Sequence, residues 1–101
     1  MFDFDLSDEL KLKIRKLMTK DKKRVEIINK KIREIINNDT TTIDRYKNLQ
    51  HDLSDCKRVH IDKSFVLIFR VYKQNNFILF TDFDNHDNIY WLKEKSGLFI
   101  V

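Results

Sequence analysis

The chain has 101 residues, 42% hydrophobic and 36% charged, with a formal net charge of +4 and a pI near 9.2. That length predicts one domain spanning 1–101 with no deep interdomain cavity, and the apolar content excludes a wholly disordered chain. A single cysteine, Cys56, excludes an intramolecular disulfide, while one glycine and no proline exclude Gly-rich phosphate loops.

The N-terminal MFDFDLSDEL carries Asp3 and Asp5 and no basic region, so no signal peptide is expected. No apolar run approaches the roughly 20 residues that cross a bilayer. The expected location is the cytoplasm. Charge is unevenly spread: 8–36 holds eleven Lys/Arg against five Asp/Glu, whereas 37–101 holds nine of each. A basic helical segment is therefore expected beside a neutral half. Such a face attracts phosphate backbones non-specifically, and an ordinary solvated helix has the same composition.

Phe2, Phe4 and Leu6 alternate with Asp3 and Asp5, the period of a short half-buried strand. Ser7, Asp8 and Glu9 read as a helix start, a capping hydroxyl followed by acids at the positive end of the dipole. Leu10, Ile14, Leu17 and Met18 then mark one face of a first helix. Thr19 offers a new cap, and a second helix from about 21 to 37 carries the stripe Val25, Ile28, Ile32, Ile35 and Ile36, with Ile27 beside it. The pair forms an αα-hairpin, and the strand with this basic hairpin occupies 1–38.

Asn37 to Thr42 is a run of capping and turn residues that ends the second helix. From 43 to 55 the chain reads as a loop with a short helical turn, anchored by Tyr46, Leu49 and Leu53. Three strands follow. In 57–61, Val59 and Ile61 share one face while Arg58 and His60 share the other. The run 65–72 is nearly continuous in apolar residues, as in a central strand, and Arg70 is its one charge. A turn at Gln74-Asn75-Asn76 leads to a strand over 77–83, making an antiparallel hairpin. A short helix is expected from about His86 to Lys95, capped by Asp84 or Asn85 and stopped by Gly97, before the apolar tail Leu98-Phe99-Ile100-Val101. The predicted fold is α+β: an N-terminal strand and two-helix hairpin on a small, mainly antiparallel sheet of about four strands, with a short C-terminal helix.

The residues that carry chemistry lie in 51–90, ahead of a C-terminal extension at 91–101. Taken singly, His51, His60 and His86 are ordinary solvated or hydrogen-bonding side chains. Arg58 and His60 share a strand face, Arg70 lies on the next strand, and His51 and His86 flank the strand block. A sheet that gathered them would form a shallow basic cleft. Histidine serves as base and acid near neutrality, and arginine presents paired donors to a phosphate. Such a set can cleave RNA without metal: one imidazole takes the 2′-OH proton, a second protonates the leaving 5′-oxygen, and arginine stabilises the charged transition state. A three-histidine zinc site is the rival, and it lacks the short paired ligand spacing of a metal motif. Beside Lys57 and Arg58, Cys56 could be an activated thiol, and a half-buried strand cysteine is the plainer reading.

Four segments carry a family resemblance: YKNLQHDL, KRVHID, FVLIFRVY, and FILFTDF leading into NHDNIY. Together they resemble the RelE/ParE superfamily of type II toxin–antitoxin toxins, and within it the YafQ-like mRNA endonucleases. The order β-α-α-β-β-β fits the same family, up to about Leu92. This resemblance implies a toxin that cuts mRNA in the ribosomal A site and is silenced by a cognate antitoxin, in a toxin–antitoxin hetero-oligomer. It needs no cofactor, metal or membrane. By carry-over, His60 and His86 are the acid/base candidates and His51 a third. Arg58, Arg70 and Lys57 are phosphate or RNA binders, and Tyr90 stacks on a base or packs. The family's acid after the strand histidine falls at Ser64, which makes Asp62, two residues earlier, the candidate auxiliary acid. Asp84-Asn85-His86 stands where the family has Gly-Thr-His, and the tail after Leu92 is additional. The other classes compatible with the sequence are a non-catalytic ParE-like toxin and a small basic module that binds nucleic acid or protein.

Overall fold

The structure, a computed structural model, describes residues 1–49 and 56–85. Strand β1 is Asp3–Leu6, helix α1 is Asp8–Lys20 and helix α2 is Lys22–Ile36. A 3₁₀ turn at Thr42–Arg45 precedes β2 (Lys47–Asn48), β3 (Cys56–His60) and β4 (Phe65–Tyr72). A second 3₁₀ turn, Lys73–Asn75, leads into β5 (Phe77–Asn85). The strands form one sheet in the order β1-β5-β4-β3-β2, with β1 parallel to β5 and every other pairing antiparallel. The described residues hold five strands against the expected four or so, because part of the 43–55 loop is the short edge strand β2. Leu49 N–H, donating to Cys56 O at 2.8 Å, continues that pairing.

Caps define the helices. Ser7 Oγ accepts from Leu10 N–H at 3.1 Å and donates to Thr81 O at 2.6 Å, so the first helix is capped and tied to β5 through one hydroxyl. A single residue, Asp21, separates α1 from α2. Its N–H donates to Leu17 O at 2.7 Å, and its carboxylate accepts from Arg24 N–H at 3.1 Å. Asp21 thus closes one helix and opens the next. Thr19, the expected cap, lies inside α1, where its hydroxyl donates to Lys16 O at 2.8 Å.

The α2 stripe packs as its period predicts: Val25, Ile28, Ile32, Ile35 and Ile36 are buried, and Ile27 is exposed. In α1, Leu10 is buried and Ile14 and Leu17 are half-buried, whereas Met18 is exposed. At 3.6 residues per turn, eight residues from Leu10 carry Met18 about 80° around the helix, off the contact line. Beyond α2, Asn38 is buried because its amide donates to Glu34 O and Ile35 O, both at 3.0 Å, taking up carbonyls the helix end leaves open. Asn76 adopts the left-handed conformation (φ 50°) that asparagine tolerates, closing the β4–β5 connection, and its side chain donates to Met1 O at 2.8 Å.

Helices cover one face of the sheet. Leu10, Ile28, Ile35, Leu67, Phe69, Ile78 and Phe80 form its fully buried centre. Between Ile68 and Phe69 the register with β5 slips by one: Ile68 pairs with Asp82 while Phe69 pairs with Phe80. Thr81 is the extra residue, and its hydroxyl donates to Ile68 O at 3.2 Å. This bulge resets the period-2 alternation, so Phe80 and Phe83, three apart, both reach the core. The expected C-terminal helix and apolar tail lie outside the described residues, as does Leu53.

Candidate active site

The face of the sheet opposite the helices carries the predicted chemistry. Alternation along β3 turns Lys57 and Val59 toward the helices and Cys56, Arg58 and His60 away from them. Register then extends that face across β4: Cys56 pairs with Arg70, Arg58 with Ile68, and His60 with Val66. Arg58 and Arg70 are therefore diagonal cross-strand neighbours, roughly 7–8 Å apart at Cα. His60 follows Arg58 on the same face about 7 Å along the strand. Beneath them Leu49, Cys56, Val66 and Ile68 form a small buried cluster. Both arginines are half-buried and His60 is exposed. Two guanidinium groups over an apolar floor act in a lowered dielectric.

The other predicted residues separate. Lys57 sits on the helix-facing side, 2% exposed, and does not join this set. Its ammonium donates to Asn48 Oδ1 at 2.9 Å and Tyr46 O at 3.3 Å. Its parity with Val59 is the sequence signal for that placement. Cys56 is a buried member of the apolar cluster, in agreement with the plainer reading of its position. His51, His86 and Tyr90 lie outside the described residues, and with two of its three histidines so does the zinc alternative. Among the described residues no cluster of His, Cys, Asp or Glu has the make-up of a metal site.

Asp62 organises the β3–β4 connection. Its Oδ1 accepts from Ser64 N–H at 2.9 Å and Phe65 N–H at 3.2 Å, and its other oxygen meets Arg24 Nη2 at 3.3 Å. The Arg24 guanidinium also lies 4.0 Å over the Phe65 ring, which stacks on Phe83. The Ser64 amide first, and Arg24 after it, hold the Asp62 carboxyl below the usual carboxylate range. That direction does not favour a proton donor, and the contacts that Asp62, the expected auxiliary acid, makes here are those of a clamp on the β3–β4 connection. A depressed folded-state pKa stabilises the fold above the unfolded value of about 3.9 and ceases to do so as pH falls through the folded value. The melting-temperature advantage of wild type over Asp62→Asn should accordingly be full at neutral pH and shrink below pH ~4. Thermal melts across that range check this; a gap independent of pH would refute it.

Sequence reasoning missed Lys13. From α1 it reaches the edge of the sheet, where its ammonium meets Asp82 Oδ1 at 2.7 Å and Asp84 Oδ2 at 3.3 Å. Burial opposes the charge, but the Asp82 hydrogen bond and both carboxylates outweigh it and raise the Lys13 pKa. Asp82 and Asp84 pair with Ile68 and Val66, in the same cross-sheet rows as Arg58 and His60. Lys13 thus neutralises the acids nearest the basic face. Nothing local in the sequence marks this ion pair, made across about 70 residues of chain.

No family model matches the chain. A protein of Methanocaldococcus jannaschii named "Putative toxin RelE4" is 47% identical over 99 residues, covering 98% of both chains. The chain belongs to the RelE family of toxins. A second relative of this RelE-family chain, an uncharacterized protein of Methanosarcina mazei, is 42% identical over 90 residues, 89% of this chain and 100% of its own. The RelE-type architecture is also that of the YafQ crystal structure from Escherichia coli BL21(DE3), with a TM-score of 0.65 at 17% identity over 89% of this chain and 99% of that one. The solution structure of the conserved hypothetical protein HP0892 from Helicobacter pylori aligns with a TM-score of 0.57 at 19% identity, over 88% and 99% of the two chains. At those identities the two structures speak for the fold, and the M. jannaschii relative carries the family. Among the described residues no helix is long and apolar enough to cross a membrane.

Proposed function

We propose that this RelE-family toxin is an endoribonuclease that cuts mRNA on the ribosome by metal-free acid/base chemistry. The observation that supports it is the β3–β4 register, with Arg58, Arg70 and His60 on one face over an apolar floor. In this reading His60 and His86 share the acid and base roles, with His51 a third candidate. One imidazole takes the ribose 2′-OH proton; the 2′-oxygen attacks phosphorus and the bond to the 5′-oxygen breaks. The second imidazole returns a proton to that oxygen, leaving a 2′,3′-cyclic phosphate and a 5′-hydroxyl. Arg58 and Arg70 hold the phosphate and offset the charge that builds on its oxygens. Tyr90 stacks on a base. The partners are a cognate antitoxin, in a hetero-oligomer that silences the toxin, and the ribosome with its message, in the cytoplasm.

The test is cleavage of mRNA in a purified translating system with chelator present, mapping the cut ends. Cuts ending in 2′,3′-cyclic phosphate support the proposal. Folded protein that makes no cuts, yet arrests growth on expression, would instead indicate a toxin that works by binding.

The helical hairpin faces ribosomal RNA in this reading, since Lys16, Lys20, Lys23 and Lys30 are all exposed on it. Replacing Lys16, Lys23 and Lys30 with glutamine should weaken ribosome association. The log–log salt dependence should flatten by about 0.7–0.9 for each phosphate no longer neutralised. Co-sedimentation across a salt series measures this, and an unchanged slope would place the ribosome-binding surface elsewhere.

A further inference from the structure

A cleft of about 840 Å³ opens at the far end of β4 from His60, between the Thr42–Arg45 turn with β2 and the Lys73–Asn75 turn. Tyr72, on its wall, lies six residues along β4 from Val66, the partner of His60, or about 20 Å. Four of the lining side chains are cations, Arg45, Lys47, Lys57 and Lys73, against one anion, Asp44. A concave, low-dielectric wall bearing excess positive charge concentrates anions.

The details point to one anion position. Two of the three Lys57 N–H donors are taken by Asn48 and Tyr46, which leaves one for Asp44, whose Oδ1 lies 3.5 Å away. Lys73 donates to Asp44 Oδ2 at 2.6 Å. A buried and an exposed ammonium therefore converge on a single carboxylate. The hydrogen bond from Lys73 keeps that carboxyl below the usual range, so it is ionised at neutral pH. The Asp44 side chain is itself 55% exposed and can turn outward. The exposed Tyr72 ring also lines the cleft, with the Phe77 ring tilted against it at 6.2 Å.

We propose that this cleft holds a phosphate of single-stranded RNA, with Lys57 and Lys73 as donors, Asp44 as the resident counter-ion it displaces, and Tyr72 as a base-stacking platform. A strand whose scissile phosphate sat at Arg58 and Arg70 would reach it by passing Tyr72 and turning round the end of β4, because Lys57 faces the other side of the sheet. The choice of RNA as ligand rests on the nuclease reading, while the paired ammonium groups do not. Stacking on an aromatic ring beside backbone-tracking cations is how proteins hold single strands without reading sequence.

The test is binding of a labelled 2′-O-methyl hexanucleotide, whose blocked 2′-oxygen prevents cutting, followed by anisotropy across a salt series. Lys73→Met should weaken binding and lower the log–log salt slope by about 0.7. Asp44→Asn, which removes the competing carboxylate, should tighten binding about two- to fivefold. Both side chains are exposed, and melting curves confirm that the variants fold. Binding indifferent to Lys73→Met, or weakened by Asp44→Asn, would overturn the proposal. Adenosine monophosphate binding as tightly as the hexanucleotide would overturn the assignment to a strand, and tighter binding of polyglutamate would overturn the assignment to RNA. If the uncuttable strand binds as described but mRNA is not cleaved, the nuclease reading alone fails. Should mRNA be cleaved while Lys73→Met binds like wild type, only the cleft is refuted.

Discussion

His60→Ala is expected to lower the rate of mRNA cleavage by about 10²–10⁴-fold, the worth of one general acid or base. The protein should still fold, because His60 is exposed at the end of β3 and is not part of the buried core. Single-turnover cleavage on programmed ribosomes measures the rate, and a thermal melt of the same preparation measures the fold. A pH profile separates chemistry from positioning, since loss of an acid or base removes one limb of the bell that two such groups produce. Arg58→Lys gives the companion result. It keeps the charge but loses the paired donors, so cleavage should fall while binding largely persists. Wild-type rates in His60→Ala, with an unaltered pH profile, would remove His60 from the mechanism.

The largest effect on stability is expected at Phe80. Its side chain is fully buried in β5, with its ring 5.7 Å from that of Phe69 and edge-to-face with Phe4 at 6.1 Å. Phe80→Ala should cost about 3–5 kcal/mol, the transfer term plus a cavity in a close-packed centre. A domain of this size has roughly 5–15 kcal/mol in total and loses about 4–8 °C of melting temperature per kcal/mol. The variant should melt well over ten degrees lower. Phe4→Ala is the control. Its ring is 44% exposed at the sheet edge, so its loss should be much smaller. Urea titrations of both variants decide the point, and equal losses would show that the sheet centre does not dominate stability. Whatever activity Phe80→Ala retains should track its folded fraction, because the arginines and His60 share a face only while β3 and β4 are paired.

Much of this architecture follows from short-range geometry. Alternation along β3 puts Arg58 and His60 on one face whatever strand lies beside them, and the same parity sets Lys57 on the other. The stripe from Val25 to Ile36 identifies the buried side of α2, because 3.6 residues per turn leave no freedom in which side chains align. The family likeness lies in the strand segments around Arg58, His60 and Arg70.

Long-range pairing accounts for the rest. That β1 lies parallel to β5 cannot be read from Phe2, Phe4 and Leu6, whose alternation suits any edge. The bulge at Thr81 admits both Phe80 and Phe83 to the core, against simple period-2 counting. Asp62 is held by backbone amides and Arg24, and Lys13 meets Asp82 and Asp84 from the far end of the chain. Period and capping are properties of neighbouring residues, so the elements and their faces were legible in the chain itself. Sheet order, register and the partners of charged side chains depend on segments brought together only by folding, and they emerge only in the folded molecule.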